Sequence, residues 1–340
     1  MSSSKKYLGI DIGSSGIKVV ELKKGTKGPE LSSYGFSDST NLKLTSDRDI
    51  ELASLILKKI IKESGMDSKT AIAALPAYAV FSSVLNLSNV NKKEIESAVH
   101  WEAKKVIPLP LEEMILDWQI VEEGSDADNI KVLLTGAPKN LVKQYIDVFK
   151  KTNLNLFSLE TETFSLIRSI LGNDKSTVLI LELGHNTTDV TIARNGIPVL
   201  SRSIDLGGLA ITRAISRNLG IAEERAEQFK YDLGVGTDSG QKDSIPSAIL
   251  ETVAPIINEV KYTIDLFENK ENQKVGKIFM SGGTSLLFGL AEHLEGILNL
   301  KVFVGDPWAH IYYPEELKPT LDELGPKLSV SIGLAMRGFH

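Results

Sequence analysis

Two stretches of the chain share one pattern of hydrophobic and polar positions. Each predicts a buried apolar strand with a single acid, a tight turn of glycine, hydroxyl and amide residues, and a second strand rich in β-branched residues. The first copy covers residues 9–20 and the second covers residues 181–192. Their acids, Asp11 and Glu182, lie about half a chain length apart. The pattern therefore predicts a duplicated domain in which each half contributes one β-hairpin.

The turn of each predicted hairpin has the composition of a phosphate-binding loop. Glycine and serine let the backbone point several N–H groups at one spot, where an anion can bind. The predicted phosphate-binding residues are Gly13, Ser14, Ser15 and Gly16 in the first hairpin and Gly184, Asn186 and Thr187 in the second. We expect Asp11 to organise Mg²⁺ directly or through water, although a buried acid that caps a turn has the same sequence. Lys18 shares a strand face with Gly16 and is expected to reach the phosphates, unless it is an exposed strand lysine.

A third element lies where a duplicated architecture of this kind needs it. Residues 277–286 predict an apolar strand with a Gly-Gly turn, and residues 286–298 predict an amphipathic helix. Bare backbone at Gly282 and Gly283, next to Thr284, would let a flat base or a ribose approach closely. Together, these elements resemble the actin, Hsp70 and sugar kinase ATPase superfamily over essentially the whole chain. The resemblance implies a duplicated ribonuclease-H-like α/β fold, with ATP and Mg²⁺ between two lobes.

The first lobe contains an insertion at residues 77–147. Its pattern predicts three strands, at residues 80–87, 115–121 and 130–135. A capping box of Asn91 and Glu94 predicts the start of an amphipathic helix, and residues 139–151 predict a closing helix. An acidic loop at residues 122–128 connects the last two strands. We therefore expect a small strand-helix-strand-strand-helix subdomain.

The insertion resembles the PilM family, the cytoplasmic actin-like proteins of type IV pilus assembly. The resemblance is carried by residues 95–109 and 116–118 and, outside the insertion, by residues 9–22, 153–166, 205–212 and 226–230. PilM proteins are similar to the cell-division protein FtsA and share its displaced subdomain 1C, which stands in place of actin's subdomain 1B. FtsA continues beyond this core into a basic linker and an amphipathic membrane helix. This chain stops at His340, which favours PilM over FtsA, although a truncated chain would look the same.

The resemblance implies four subdomains and further residues for the nucleotide site. The subdomains are 1A at residues 1–76 and 148–176, the inserted 1C at residues 77–147, 2A at residues 177–210 and 275–340, and 2B at residues 211–274. Glu227 and Lys230 lie three apart on a helix and would approach the ribose, although a surface ion pair has the same spacing. Gly207 and Gly208 would allow close approach of phosphate where the chain enters subdomain 2B, although a helix start there needs equally small residues.

The resemblance also implies a water-positioning side chain in the segment that crosses between the lobes. Glu160 and Glu162 lie in this segment, and the predicted catalytic pair is Glu160 with Glu182. Glu182 stands where Asp is commoner in relatives, so its longer side chain is expected to shift a metal-bound water. The sequence shows no convergent polar cluster that would bind a second substrate beside a general base. We therefore expect at most a slow ATPase.

Composition restricts the partners and the location of the protein. The 340 residues are 24% charged, carry a formal net charge of −6, and include no cysteine and five histidines without ligand spacing. Disulfides and thiolate metal sites are therefore excluded, so a metal would be bound by oxygen. The acidic balance and the lack of a basic stripe argue against nucleic acid. Because no apolar stretch approaches the roughly 18 residues of a membrane span, we expect a cytoplasmic protein that reaches the inner membrane only through a partner.

In the PilM family, that partner is the short N-terminal cytoplasmic tail of PilN, a single-span membrane protein. Such a peptide can dock on an unpaired strand edge or in an apolar groove. The apolar residues predicted near a groove of the insertion, each of which could equally be core, are Phe81, Val84, Leu85, Leu87, Trp101 and Ile107. The sequence thus predicts an ATP-binding adaptor that contacts PilN and other platform proteins and can self-associate. The alternatives are an FtsA-like or MreB-like filament protein and, third, an ATP-dependent small-molecule kinase.

Overall fold

Strands and helices follow one another along the computed structural model, which describes residues 5–38, 42, 44–88, 90, 92–123, 129–235 and 245–339. The strands are β1 (Lys6–Gly13), β2 (Gly16–Lys24), β3 (Pro29–Phe36), β4 (Thr70–Leu75), β5 (Phe81–Ser88), β6 (Met114–Glu123), β7 (Asn129–Pro138), β8 (Asn155–Thr161), β9 (Val178–Leu183), β10 (Thr188–Arg194), β11 (Ile197–Ile204), β12 (Lys277–Ser281) and β13 (Lys301–Val304). The helices are α1 (Asp47–Glu63), α2 (Ile95–Val106), α3 (Lys139–Thr152), α4 (Glu162–Leu166), α5 (Gly208–Leu219), α6 (Glu223–Leu233), α7 (Ile245–Glu271), α8 (Leu290–Leu298) and α9 (Lys318–Arg337). Within the described residues, no helix combines the length and the hydrophobicity that a membrane span requires.

Two five-stranded sheets repeat one design. Their strand orders are β3-β2-β1-β4-β8 in the first lobe and β11-β10-β9-β12-β13 in the second. In each sheet the first three strands run antiparallel, and the last two run parallel to the central strand. Asp11 pairs across its hairpin with Lys18, and Glu182 pairs in the same way with Asp189. The matching topology confirms the predicted duplication and the two lobes.

The central strands are apolar because both of their faces are covered. Leu8 and Ile10 of β1 and Leu179 and Leu181 of β9 are completely buried, as expected for sheets with helices on both sides. α1 and α3 contribute to the core of the first lobe, and α5 to α8 contribute to that of the second. Each such side chain stabilises the fold by roughly 1.5–3 kcal/mol on leaving water. The hairpin turns are thereby held on two rigid platforms.

Two helices lie between the sheets and join the lobes. α4, which continues into one π-helical turn at Ile167–Leu171, and α9 share a core with β4 and β9. α9 also packs on β1 and β2. It approaches so closely that a Cβ on Gly9 would lie 1.9 Å from the carbonyl oxygen of Ser331, so only glycine fits there. The chain thus returns from the second lobe to the first sheet, although the proposed division groups residues 275–340 with subdomain 2A.

The inserted residues form the predicted strand-helix-strand-strand-helix module. β5, β7 and β6 make an antiparallel sheet with β7 in the centre, and α2 packs on it through Ile95, Val99 and Ala103. α3 instead packs on α1 and belongs to the core of the first lobe. Asn91 of the predicted capping box and residues 124–128 of the acidic loop lie outside the described residues. We call residues 81–138, from the start of β5 to the end of β7, the inserted module.

One predicted helix begins later than expected. The pattern predicts a helix over residues 286–298, but the chain forms a 3-10 helix at Gly283–Leu286, and α8 begins only at Leu290. Gly289 lies between them with a φ of 76°, a left-handed conformation that interrupts the helical path. The N-terminus of α8 is thus separated from the Gly-Gly turn.

Candidate functional site

A cavity of about 960 Å³ lies between the two lobes. Its volume is at the upper end of the range for small-molecule sites, about 300–1,000 Å³. All but three of the predicted nucleotide-binding residues line it, namely Asp11, Gly13, Ser14, Ser15, Lys18, Gly184, Asn186, Thr187, Glu227, Lys230, Gly282, Gly283 and Thr284. The structure thus brings both hairpin turns and the Gly-Gly turn to one space.

Gly16, Gly207 and Gly208 do not line the cavity and instead shape its wall. Gly16 has a φ of 137°, and a Cβ there would lie 1.9 Å from the carbonyl oxygen of Ser37. A Cβ on Gly207 would lie 2.6 Å from the carbonyl oxygen of His185. The N–H of Gly208, the first residue of α5, donates a 2.9 Å hydrogen bond to the carbonyl oxygen of Gly184. These glycines therefore allow the turns and the start of α5 to pack closely.

In the first hairpin, the acid has a cationic partner. Lys18 Nζ donates a 2.8 Å hydrogen bond to Asp11 Oδ2, and only 11% of the Lys18 side chain and 6% of the Asp11 side chain are exposed. Burial by itself lowers the pKa of Lys18, but the charge and the hydrogen bond of Asp11 outweigh burial, so that the pKa is raised. Lys18 is therefore a buried, charged lysine and not the exposed strand lysine that the sequence left open.

In the second hairpin, the equivalent positions hold two acids, and a third lies beside them. Carboxylate oxygens of Glu162, Glu182 and Asp189 lie within 4.8 Å of one another. Burial, followed by the charges of Asp189 and Asp11, raises the pKa of Glu182 to about 8. Burial raises the pKa of Asp189 to about 6, against a hydrogen bond from Ser203. The pKa of Glu162 is raised well above its ordinary value by burial and then by the charge of Glu182.

This group of Glu162, Glu182 and Asp189, which we call the acidic triad, fits a hard divalent cation. Glu182 Oε2 is buried and accepts no hydrogen bond, so it is an unused ligand atom. Carboxylate oxygens are ligands that Mg²⁺ prefers, and the ion would also offset the repulsion between the acids. The metal was predicted at Asp11, whose Oδ2 accepts the hydrogen bond from Lys18. The acids grouped at ligand distance come instead from the crossing segment and the second hairpin.

The crossing segment places its two glutamates in different surroundings. Glu160 accepts hydrogen bonds of 2.7 and 3.0 Å from Arg168 and one of 2.7 Å from Arg337, and it does not line the cavity. Glu162 does line the cavity, and its Oε2 accepts a 2.9 Å hydrogen bond from the backbone N–H of Ala77. The structure therefore does not bring Glu160 to the predicted catalytic position. Glu162, by contrast, lies beside Glu182 in the acidic triad.

A buried lysine holds the cavity wall that α5 and α6 form. Lys230 is 1% exposed, and its Nζ donates to Glu227 Oε1 at 2.6 Å and to Thr212 Oγ1 at 3.3 Å. Thr212 also donates a hydrogen bond to Glu227. Burial lowers the pKa of Lys230, opposed by the charge of Glu227. Glu227 and Lys230 are therefore not a surface ion pair, and the 40% exposed Glu227 side chain remains accessible from the cavity.

Many cavity residues had no predicted role, and among them are Tyr78, Tyr145, His185, Asp205, Thr212 and Tyr231. Tyr78 and Tyr145 lie on the two chain segments that connect the inserted module to the first lobe. No pattern in the sequence marks either tyrosine as a cavity residue. Asp189, by contrast, carries a readable signal, because it follows Glu182 at the spacing at which Lys18 follows Asp11.

The predicted peptide-binding residues divide between core and surface. The buried ones, which belong to the core of the inserted module, are Leu85, Leu87 and Ile107. Phe81 packs partly against that core, Val84 is half-buried, and Trp101 is 63% exposed. The alternative that these residues are core therefore holds for the first three. A docking role remains a prediction for Phe81, Val84 and Trp101.

Comparison with solved structures shows an actin-like ATPase fold. The chain is similar to the structure described as a PilM-PilN type IV pilus biogenesis complex, with a TM-score of 0.86, 24% identity and coverage of 98% of both chains. It is similar to the ethanolamine utilization protein EutJ from Carboxydothermus hydrogenoformans, with a TM-score of 0.59, 15% identity and coverage of 98% of this chain and 89% of that one. It is also similar to MreB5 of Spiroplasma citri bound to AMPPNP, with a TM-score of 0.56, 15% identity and coverage of 97% of this chain and 94% of that one.

Sequence relatives lead to the same group of proteins. The chain is 22% identical over 357 residues to the cell division protein FtsA of Bacillus subtilis (strain 168), covering 90% of this chain and 80% of that protein. It is 21% identical over 385 residues to FtsA of Neisseria meningitidis serogroup B, covering 98% of this chain and 90% of that protein. The profile of the family described as type IV pilus assembly protein PilM matches residues 9–339. The chain therefore belongs to the PilM family of type IV pilus assembly proteins.

Proposed function

We propose that this protein binds ATP with Mg²⁺ in the cavity and acts in the cytoplasm as a nucleotide-dependent adaptor of the type IV pilus assembly platform. The observation that carries the proposal is the charge pattern of the cavity. A buried Lys18 and two phosphate-type turns lie beside the acidic triad. A phosphate chain needs N–H donors and positive charge, and its cation needs carboxylates. The cavity offers both sets side by side.

The two hairpin turns would bind the phosphates from opposite sides. The backbone N–H groups and hydroxyls of Ser14 and Ser15 would bind from the first lobe, and those of Asn186 and Thr187 from the second. Lys18 would add a fixed positive charge, since its partner Asp11 holds its head group in place at 2.8 Å. Because the turns belong to different lobes, the phosphates would fix one relation between the lobes.

The acidic triad would hold Mg²⁺ directly or through water. When bound, the ion supplies positive charge to the carboxylates and the phosphates alike. The buried Glu182 Oε2, which accepts no hydrogen bond in the structure, would gain a partner. The longer side chain of Glu182 would reach the ion from the second lobe, so metal and nucleotide would bind together.

The ribose and the base would lie between α6 and the Gly-Gly turn. Glu227 accepts hydrogen bonds from Lys230 and Thr212. Held in this way, its carboxylate would accept a hydrogen bond from a ribose hydroxyl. At Gly283 an added Cβ would have the Tyr231 hydroxyl, 3.7 Å away, as its nearest neighbour. The backbone there is therefore open enough for a flat ring to lie against it.

Isolated turnover is expected to be slow. Hydrolysis requires a water in line with the γ-phosphate, and a small misplacement of the positioning group costs on the order of 10²-fold. Glu162 would be the side chain that positions this water, but one of its oxygens accepts a hydrogen bond from Ala77. We expect phosphate release well below the roughly 10 s⁻¹ median of enzymes. Rapid multiple turnover by the purified protein would favour a motor or a kinase instead.

The proposed partner is the N-terminal cytoplasmic tail of a PilN-like membrane protein, which would bring the protein to the inner membrane. The most extensive structural likeness described above is to a chain of a complex named PilM-PilN. In the inserted module, β6 is an edge strand with Ile115 and Ile120 exposed, and Trp101 is exposed on α2. An extended peptide gains main-chain hydrogen bonds from an edge strand and specificity from apolar side chains.

A filament-forming protein is the second candidate. The sequence relatives include FtsA, and the structural likeness includes MreB5. The edge strands of the two large sheets each expose an aromatic residue, Phe157 on β8 and Phe303 on β13. A pelleting assay with ATP and Mg²⁺ separates the two candidates, because an adaptor stays in the supernatant at concentrations at which a filament sediments.

Thermal denaturation tests the nucleotide site. Ligand at 100 times its Kd should stabilise the folded protein by about 2.7 kcal/mol, so ATP with Mg²⁺ should raise Tm. ATP with EDTA should raise Tm less, because the acidic triad would have no cation. Gly283→Leu should keep the Tm of the free protein and lose the ATP effect, since its side chain would extend into the open space beside Tyr231. No shift at millimolar ATP would contradict the proposal.

A titration with a labelled peptide of the PilN-like tail tests the partner. Trp101→Ala should weaken binding by about tenfold, as is typical when a central aromatic contact is removed. Tyr262→Ala is the matched control, because this aromatic residue is 52% exposed but lies on α7 of the second lobe. Equal affinities for the two variants would place the docking site away from α2.

A further inference from the structure

Both chain connections of the inserted module line the cavity. The chain leaves β4 through the connecting segment, residues 76–80, and Pro76 and Tyr78 of this segment line the cavity. The chain returns from β7 into α3, whose Leu141 and Tyr145 also line it. A ligand in the cavity would therefore be able to contact both segments that set the position of the module relative to the first lobe.

The connecting segment is tied to the acidic triad by one hydrogen bond. The backbone N–H of Ala77 donates to Glu162 Oε2 at 2.9 Å. The 3-10 helix Ala77–Ala79 and strand β5, which follows it, also pack against β11 of the second lobe. The segment thus contacts the triad, the module and the second lobe within a few residues.

We propose that Glu162 is a positioning residue that couples the filling of the cavity to the peptide-docking inserted module through the N–H of Ala77. The inference rests on the proposed function, since it takes nucleotide and tail peptide as the two ligands. Beyond the proposed function, the inference names Glu162 as the group through which each ligand changes the affinity of the protein for the other. Coupling of this kind is reciprocal and is typically about 5- to 150-fold.

The two oxygens of the Glu162 carboxylate are what make it suitable for this role. Oε2 is held by Ala77, and the carboxylate lies within ligand distance of Glu182 and Asp189. A cation and its phosphates among these acids would fix the orientation of Glu162. The hydrogen bond would then fix the connecting segment and, through β5, the module. A ligand can shift such an equilibrium only by its difference in affinity for the two states, so the effect depends on this bond.

Ala77 allows the bond to be removed without substitution of a triad residue. Proline is well accepted at the first position of a helix, and Ala77 is the first residue of its 3-10 helix. The preceding Pro76 has a ψ of 137°, the extended conformation that a following proline requires. Ala77→Pro therefore deletes the donor, whereas Ala77→Ser keeps it and serves as the matched control.

The experiment measures the affinity of the tail peptide with and without saturating AMPPNP and Mg²⁺. The wild type and Ala77→Ser should show an affinity change of about fivefold or more. In Ala77→Pro the change should vanish, while AMPPNP with Mg²⁺ still raises Tm. Glu162→Gln, whose amide oxygen can accept from Ala77, should keep more of the coupling than Glu162→Ala. Hydrogen exchange at Ala77 should be slowed by the nucleotide in the wild type and not in Glu162→Ala.

The outcomes separate the inference from the proposed function. A wild type that binds neither AMPPNP nor the peptide would contradict the proposed function. A wild type that binds both ligands without coupling would overturn the inference alone. Unchanged coupling in Ala77→Pro would also overturn it, because the segment would then be controlled by another contact.

Discussion

The two hairpins that face the cavity have the same backbone arrangement but differ in the charges of their paired side chains. Lys18 lies opposite Asp11 in the first hairpin, and Asp189 lies opposite Glu182 in the second. The first pair neutralises itself at 2.8 Å. The second is a pair of acids that repel each other when both are ionised, and Glu162 lies beside them. Because a cation in one hairpin is exchanged for an anion in the other, the symmetrical scaffold has one side that we propose for phosphate and one side that we propose for metal.

The difference teaches that a duplicated fold need not respond symmetrically to its environment. A buried ion pair is damaged when one member is removed. A buried pair of like charges is instead relieved when one member is neutralised or a cation is added. The same kind of perturbation should thus have effects of opposite sign in the two hairpins. Four measurements test the comparison of the hairpins.

The largest effect is expected from Lys18→Met. Asp11 would be left buried without its partner, and breaking a buried pair costs about 3–5 kcal/mol. Lys23→Met on the same strand is the control, because Lys23 is 40% exposed and its partner Glu30 is 33% exposed, so its loss should stay below about 1 kcal/mol. Urea unfolding without ligand measures both. Equal losses would mean that the first hairpin does not depend on its ion pair.

The second effect is a dependence of stability on pH. The folded protein holds a proton on Glu182 up to a pKa of about 8 and on Asp189 up to about 6, both above their ordinary values. The unfolded chain releases these protons earlier, so this stabilisation is present at low pH and is lost as pH rises through about 6 and then about 8.

Without ligand, the free energy of unfolding should therefore fall by about 2 kcal/mol between about pH 5.5 and about pH 8. Saturating Mg²⁺ with ATP should flatten the dependence, because the cation favours the ionised acids. A free energy of unfolding that rises over this range would show that the acids of the second hairpin are paired and not repelling.

The third effect concerns two amide substitutions, one in each hairpin, which should change the free energy of unfolding in opposite directions. Glu182→Gln removes a repelling charge and should raise the free energy of unfolding by about 1 kcal/mol at about pH 8. Asp11→Asn removes the partner of Lys18 and should lower it by more than that. Glu182→Gln should also lose most of the Mg²⁺-dependent part of the ATP-induced rise in Tm. Shifts of the same sign for the two variants would break the comparison.

The smallest effect is the difference in stability that a glycine-to-alanine substitution causes in the two turns. A Cβ on Gly184 would lie 2.8 Å from the carbonyl oxygen of Thr187, which is backbone and cannot move freely. A Cβ on Gly13 would lie 3.3 Å from Lys18 Nζ, the end of a long side chain. Gly184→Ala should therefore cost about 1–2 kcal/mol and Gly13→Ala less than about 1 kcal/mol. Thermal denaturation measures both, and the reverse order would mean that the second turn is the more adaptable one.

Most of the fold could be predicted because the relevant signals are local. An acid within a short apolar strand, a glycine turn and a β-branched return strand specify a hairpin without help from distant residues. The repeat of that pattern then specifies the two lobes. The position of Asp189 follows from the same repeat, because Lys18 and Asp189 occupy equivalent positions on the two return strands.

The choice between Glu160 and Glu162 could not be made from the sequence. In a continuous strand the two side chains would lie on one face. β8 ends at Thr161, however, and Glu162 is the first residue of α4. This change of structure directs Glu160 to Arg168 and Arg337 and Glu162 to the cavity. A boundary of one or two residues is what sequence patterns specify least well.

The sequence pattern also could not show which of the predicted peptide-binding residues belong to the core and which lie at the surface. Leu85 and Leu87 alternate with an exposed Asn86, a pattern that any half-buried strand shows, whether its apolar face meets a helix or a peptide. The structure places α2 on that face. Only the contact between β5 and α2, which are separate segments of the chain, shows that this face is core.

The path of α9 determines when the first lobe can be completed during synthesis. Val20 and Leu22 of β2 are buried against Leu328 and Ile332 of α9, which are made about three hundred residues later. Domains that depend on contacts between distant segments fold slowly, and incomplete sheets are prone to aggregation. This part of the first sheet therefore stays uncovered until α9 has been synthesised. Chaperone binding to the nascent chain should accordingly be concentrated on the first lobe and end when α9 is released.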